Sequence, residues 1–309
     1  MINRILIRIK VVQMVYSYLL TEKERTIEDA KKELNKSLDK AYELYHALFV
    51  LMIELTRLQD QRIDLAKNKY LPSEEDLNPN MRFVDNELIK KLVDNEDLNE
   101  YLKEHPVSWQ DDNVFLRRML DKIVNSDIYE EYMGKDATDF KNDCEFWRTI
   151  MRKIILVDEE FVEFMESKSV YWNDDIASMS TFMLKTIKRI EDGISNDLLP
   201  MYKDDIDKMF GEELFIYSVR NKKQYNELID KFVQTELWDT ERLAFMDRVI
   251  MIVAIAEIIN FMSIPTRVTM NEYIEIAKFY STPKSGQFIN GILNSVVNYL
   301  KNEGRLLKD

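Results

Sequence analysis

Cysteine occurs once in this sequence, at Cys144, so no disulfide can close within the chain and no zinc site can rest on cysteines. The compartment this implies is a reducing cytoplasm. Histidine occurs twice, as His46 inside a helical pattern and His105 beside a helix-ending proline, and both read as structural or solvent-facing rather than catalytic. Glycine and proline number 6 each in 309 residues, far below their usual shares of roughly 7% and 5%. A chain so short of turn formers is built of long helices with brief connections. Catalytic signatures are missing too: there is no HExxH, no glycine-rich phosphate loop and no GxSxG. Lys284-Ser285 has the look of a P-loop tail, but the upstream glycines are absent. The longest apolar run, Val249 to Ala256, is bounded by Arg248 and Glu257. It falls far short of the roughly 20 residues that span a bilayer and reads as a buried core helix. No small-residue cleavage site follows the apolar stretch around Arg4 and Arg8, so no signal peptide is expected.

What the chain does have is acid. Its net charge is −13, which by itself argues against nucleic acid. The distribution changes that reading. Residues 1–20 hold Arg4, Arg8 and Lys10 and no acid, and residues 263–309 carry +2, so the stretch between carries −18. Two non-negative ends flank an acidic body. Acidic runs such as Asp158-Glu159-Glu160, Asp174-Asp175 and Asp204-Asp205 read as solvated faces or helix starts, since nothing supplies the second partner that acid–base or metal chemistry needs. Cys144 has no visible base. The expectation is a protein that is not an enzyme and needs no cofactor or metal.

Residues 3–20 predict a helix apolar on most sides, with Ile5, Leu6, Ile9, Val12, Leu19 and Leu20 buried. Thr26 and Asp29 form a capping box that opens a long helix. Along it Leu34, Ala41, Leu48 and Leu55 repeat at seven, as do Leu38, Tyr45 and Met52. A loop is expected over 72–82. Further helices are expected at 84–103, 110–133, 137–167, 174–196, 205–219, 222–237 and 240–262. Thr269 to Glu272 has capping-box spacing, and Thr282-Pro283 reads as an N-cap with proline at the first helical position.

The remaining signal is for binding. RNA recognition takes cations for phosphates and aromatic groups for unstacked bases. The first helix offers Arg4, Arg8, Lys10, Gln13, Tyr16 and Tyr18, and the last offers Lys284, Ser285 and Phe288 beside a helix N-terminus. A core role for the aromatics and a solubilising one for the cations fit the same residues, and composition leaves both readings open.

The stretch DRVIMIVAIAEI (Asp247–Ile258), then Ile264-Pro265, then NEYIEIAKF (Asn271–Phe279), then KSGQFINGIL (Lys284–Leu293), resembles the C-terminal half of the NusB family. The start, Arg4 followed by VVQMVYSYLL (Val11–Leu20), resembles that family's arginine-bearing first helix. The resemblance covers residues 1–22 and 207–303, leaving 23–206 as an acidic helical insertion and 304–309 as a tail. It implies an all-α, NusB-like helical bundle enlarged by that insertion. It also implies an RNA-binding transcription antitermination factor recognising boxA-type single-stranded leader RNA with the ribosomal protein NusE, in the RNA polymerase antitermination complex. By position, Arg4 and Arg8 hold phosphates, Tyr16, Tyr18 and Gln13 lie on the RNA face, and Phe288 stacks on a base or lines the NusE edge. Lys284 and Ser285 sit beside it, and Asp247 and Arg248 fall toward NusE. On this view replacing Arg4 and Arg8 by alanine weakens RNA binding and spares stability. Relatives more often have a basic residue where Ile252 stands and an acid where Lys284 stands. A helical protein–protein scaffold without RNA binding is the alternative, and the heptad stretch leaves a homodimer open. A methyltransferase carrying this fold lacks support, because the glycine-rich cofactor loop is missing.

Overall fold

The computed structural model describes residues 2–135, 139–233 and 244–308, which contain fifteen α-helices and no strand. In chain order they are α1 (Arg4–Thr21), α2 (Ile27–Lys67), α3 (Glu74–Leu77), α4 (Glu87–Val93) and α5 (Glu96–Glu104). Then follow α6 (Asn113–Val124), α7 (Asp127–Met133), α8 (Phe140–Ile150), α9 (Glu159–Lys168) and α10 (Ile176–Glu191). The last five are α11 (Asp205–Arg220), α12 (Lys222–Val233), α13 (Phe245–Asn260), α14 (Thr266–Tyr280) and α15 (Ser285–Asn302). No helix is long and apolar enough to cross a membrane among the described residues.

The helices gather into two compact units, Met1–Leu38 with Met201–Asp309, and Asp39–Pro200. The first holds 22 basic and 21 acidic residues and the second 21 and 35, net charges of +1 and −14. The division falls inside α2, later than the 22/23 junction expected from sequence. The start of α2 belongs with the first unit because Asn35 Nδ2 donates to Glu212 Oε1 on α11 at 2.6 Å. The C-terminal tail belongs there too, with Leu306 buried and Lys308 Nζ donating to the Phe261 carbonyl at 2.7 Å.

In the first unit α13 is the centre. It is buried from Val249 through Ile258, so no face is left for water. α1, α11, α12, α14 and α15 all pack on it. α1 also packs closely along α11. A β-carbon at Gly211 would stand 2.9 Å from Ile7 Cγ2 and 3.8 Å from Leu38 Cδ1, so glycine sets how near α1, α2 and α11 can come.

In the second unit α8 packs against α4, α7 and α10. The α2 heptad positions on both sides of the division, Leu34, Leu38, Ala41, Tyr45, Leu48, Met52 and Leu55, are all buried. Several expected helices divide where a polar side chain caps a new one. Asn95 Oδ1 accepts Leu98 N at 2.8 Å and starts α5 within the expected 84–103 helix. Ser126 Oγ accepts Tyr129 N at 3.2 Å and starts α7. A π-turn at Met151–Ile155 and Asp158, which accepts Phe161 N at 3.1 Å, separate α8 from α9. Ser73 builds a full capping box for α3, inside the expected loop. α14 begins at Thr266 rather than at Thr269, and α15 begins at Ser285, with Thr282 and Pro283 in the turn before it. The expected helix edges at 137, 237 and 240 lie outside the described residues.

His46 is buried in this unit, its Nδ1 2.8 Å from the Tyr42 carbonyl and its ring stacked on Tyr101 at 3.7 Å. Burial pushes its pKa down to about 4.

Two outcomes follow for stability. Gly211→Val drives a branched side chain into Ile7 and should cost about 1–3 kcal/mol, read as a lowered denaturant midpoint; an unchanged midpoint would show that α1 and α11 are further apart. His46 has its folded pKa below the unfolded value of about 6.5, so its contribution is fully present above that pH and is lost as pH falls toward 4. The loss should be on the order of 3 kcal/mol. Chemical denaturation of wild type and His46→Phe across pH 4–7 should show this slope only in the wild type.

Candidate nucleic-acid interface

α1 opens at Asn3, whose Oδ1 accepts Leu6 N at 2.9 Å. Beyond that cap two of its three cations, Arg8 and Lys10, turn inward. Arg8 is 3% exposed. Its Nε and Nη2 each lie 2.8 Å from a carboxylate oxygen of Glu257 on α13, a bidentate pair. The same carboxylate accepts Thr269 Oγ1 at 2.7 Å and the Tyr273 hydroxyl at 2.9 Å, both from α14. Burial lowers the guanidinium's pKa, but the Glu257 hydrogen bonds and charge outweigh it and the net shift is upward. Burial and the Glu257 charge hold the Tyr273 phenol well above its ordinary range. Thr269, which reads as a helix cap in the sequence, is therefore a core ligand of Glu257.

The expected phosphate contact at Arg8 is corrected by this geometry, because the guanidinium is buried and its planar fork is taken. Lys10 is buried as well. Arg4 keeps its side chain 33% exposed, with Nε 2.7 Å from Asp207 Oδ1 and its guanidinium 5.2 Å from the centre of the Phe210 ring. Tyr18 is core, edge-on to Phe215 at 6.0 Å. Gln13 and Tyr16 are half-buried. The expectation that Ile5 and Leu20 are buried also fails, since they are 47% and 61% exposed. With the half-buried Ile9, Gln13 and Tyr16 they make an uncharged outer stripe on α1. Phe245, which the sequence reading did not single out, is 39% exposed and lies 5.1 Å from the Tyr16 ring. Nothing in an apolar helical pattern distinguishes such an aromatic from core.

A second junction fixes the start of α15. Asp247 is buried. Its Oδ1 accepts the Ser281 hydroxyl at 2.5 Å and its Oδ2 the Ser285 hydroxyl at 2.9 Å. Ser285 Oγ in turn accepts the Thr282 amide at 3.2 Å. Asp247 and Ser285 thus face each other rather than a partner or RNA. What they do is hold the turn that presents Lys284, exposed, and Phe288, half-buried. Arg248 Nη1 lies 2.9 Å from both Asn226 Oδ1 and Asp230 Oδ1, so it ties α13 to α12 instead of reaching outward. Of the sequence-selected residues, Arg4, Gln13, Tyr16, Arg248, Lys284 and Phe288 keep accessible surface. Arg8, Lys10, Tyr18, Asp247 and Ser285 do not.

No cluster of three His, Cys, Asp or Glu side chains suited to a metal occurs among the described residues. Cys144 is buried, and burial pushes its thiol up to about 12, which leaves it un-ionised at neutral pH.

The NusB family model matches residues 177–298, from the start of α10 through most of α15, including Glu257 and the Asp247–Ser285 junction. The transcription antitermination protein NusB of Salinibacter ruber is 36% identical over 110 residues, 36% of this chain and 68% of that protein. That of Methylacidiphilum infernorum is 40% identical over 117 residues, 37% of this chain and 78% of its own length. The chain belongs to the NusB family. The NusB of Chloroherpeton thalassium is 32% identical over 137 residues, 43% of this chain and 64% of that protein. Each alignment leaves more than half of this NusB-family chain unmatched. No solved structure matches the chain.

Arg8→Ala should strand a buried carboxylate and cost about 3–5 kcal/mol. Arg4→Ala removes a partly exposed pair and should cost about 1 kcal/mol or less. Thermal unfolding of the two single variants checks this, and equal, small losses would contradict the burial of the Arg8–Glu257 pair.

Proposed function

We propose that this chain is an RNA-binding transcription antitermination factor that recognises boxA-type single-stranded RNA together with NusE, within the RNA polymerase antitermination complex. Membership of a family whose compared relatives are named transcription antitermination proteins carries the reading. The geometry supports it at α15, where buried Asp247 and Ser285 prepay the ordering of a turn that offers a cation and a half-exposed aromatic ring. Arg4 adds a second cation to the RNA face. The charge division supports it as well, since a unit at −14 repels phosphate and leaves contacts to the unit at +1.

The uncharged α1 stripe, with Tyr16 and Phe245, suits a protein partner better than a phosphate backbone, and NusE is the partner assigned to it. A scaffold without RNA binding has one observation in its favour, the inward use of Arg8 and Lys10.

Fluorescence anisotropy with boxA RNA, with and without NusE, tests the reading. Lys284→Ala combined with Phe288→Ala should weaken binding about tenfold or more and lower the salt slope by roughly 1, with little change in thermal stability. Absence of RNA binding at low salt under both conditions would overturn the assignment and leave the scaffold.

A further inference from the structure

α15 contains no acidic residue over its 18 positions, in a chain with 56 acids. Its buried face is apolar, formed by Ile289, Ile292, Leu293, Val296, Val297 and Leu300. Its outer face has a regular composition. Phe288, Gly291, Ser295 and Tyr299, spaced at three and four, fall on one stripe, and all are half-buried. Gln287, Asn290, Asn294 and Asn298 follow the same spacing one position earlier, and all are exposed. One aromatic therefore stands at each end of a shallow stripe of small residues, alongside a ladder of carboxamides. Asn294 Nδ2 donates to Asn290 Oδ1 at 3.0 Å, so neighbouring rungs of that ladder touch.

The far end carries its own cation. Lys231 Nζ of α12 lies 3.5 Å from the centre of the Tyr299 ring, and Phe232 stands 5.8 Å from the same ring. The acid next to it in sequence, Asp230, is drawn to Arg248 at 2.9 Å. The cation–aromatic pairing at Lys231 and Tyr299 thus repeats what Lys284 and Phe288 offer at the near end.

We propose that the outer face of α15 is a track for single-stranded RNA, running from Lys284 and Phe288 to Tyr299 and Lys231. The proposal rests on the RNA-binding reading above and extends it from a point contact to a path. The chemistry fits that ligand. Aromatic rings at the two ends stack on unpaired bases. Carboxamides both donate and accept, as the Watson–Crick edges of unstacked bases require. Gly291 and Ser295 leave room for bases or sugar between the rings. The two lysines meet phosphates, and no carboxylate on the helix opposes them. Phe288 and Tyr299 are eleven residues apart, about 16 Å along the axis. Only an RNA several nucleotides long reaches both rings.

The test uses the full chain and a series of labelled RNA oligonucleotides of increasing length that share one boxA core. Wild-type affinity should rise with length until both ends of the track are occupied. Tyr299→Ala should weaken long RNAs about tenfold and leave the shortest binding RNAs unchanged. Asn298→Asp, which keeps shape and adds one negative charge, should do the same without a change in thermal unfolding, and it covers the case in which Tyr299→Ala disturbs the fold. Tyr299→Phe should retain wild-type affinity. If long RNAs bind Asn298→Asp and Lys231→Ala as tightly as wild type while Lys284→Ala weakens them, RNA binding stands and the track is wrong. If those variants weaken only capture of NusE, the face serves a protein and the proposal is overturned. If the wild type binds no RNA of any length, the RNA-binding reading falls and the track with it.

Discussion

The first unit depends on one buried carboxylate. Glu257 sits in the fully buried stretch of α13, Val249–Ile258, and an ionised carboxylate there is costly unless its lone pairs are met. They are met by Arg8 from α1 and by Thr269 and Tyr273 from α14. Directional bonds from two flanking helices therefore fix the rotation of α1 and α14 against α13, where apolar contact alone would tolerate slippage. Gly211 adds a steric condition on the other side of α1, because Ile7 fills the space a larger residue would need. Together these leave α1 one orientation, with Arg8 and Lys10 inward, Arg4 partly exposed and the uncharged stripe outward.

That orientation redistributes roles. A cation next to a helix start in a nucleic-acid-binding family invites assignment to phosphate, yet Arg8 serves the fold. Asp247 repeats the pattern at smaller scale: a buried acid, read first as a partner contact, organises two serine hydroxyls and thereby the turn at Lys284. In both cases the buried charge is satisfied internally, and the accessible chemistry lies on neighbours it positions. The RNA surface proposed here is accordingly less arginine-rich and more aromatic and amide-based than composition suggests, with α15 as its main element.

The second unit shows a different limit on reading a sequence. Its helices lie where apolar periodicity puts them, and the α2 heptad positions are buried throughout. Its helix ends do not follow from periodicity, because Asn95, Ser126 and Asp158 interrupt continuous apolar patterns by capping new helices. Asparagine, serine and aspartate also occur on exposed helix faces, so their residue type alone does not reveal which of them caps. The acidic runs read as solvated faces or helix starts are partly this: Asp158 and Asp204 are both N-caps.

The amino-acid sequence alone determined the all-α class, the central apolar helix and the order of motifs that places the chain in its family. These rest on local periodicity and residue order, which survive without coordinates. It also carried the charge contrast between the chain ends and the body. Only the tertiary structure decided which polar residues face water. Arg4 and Arg8 are one helical turn apart and chemically identical, and α13 brings Glu257 to one of them and not the other. That choice is made by long-range packing between residues some 250 positions apart in the chain, and no local pattern encodes it.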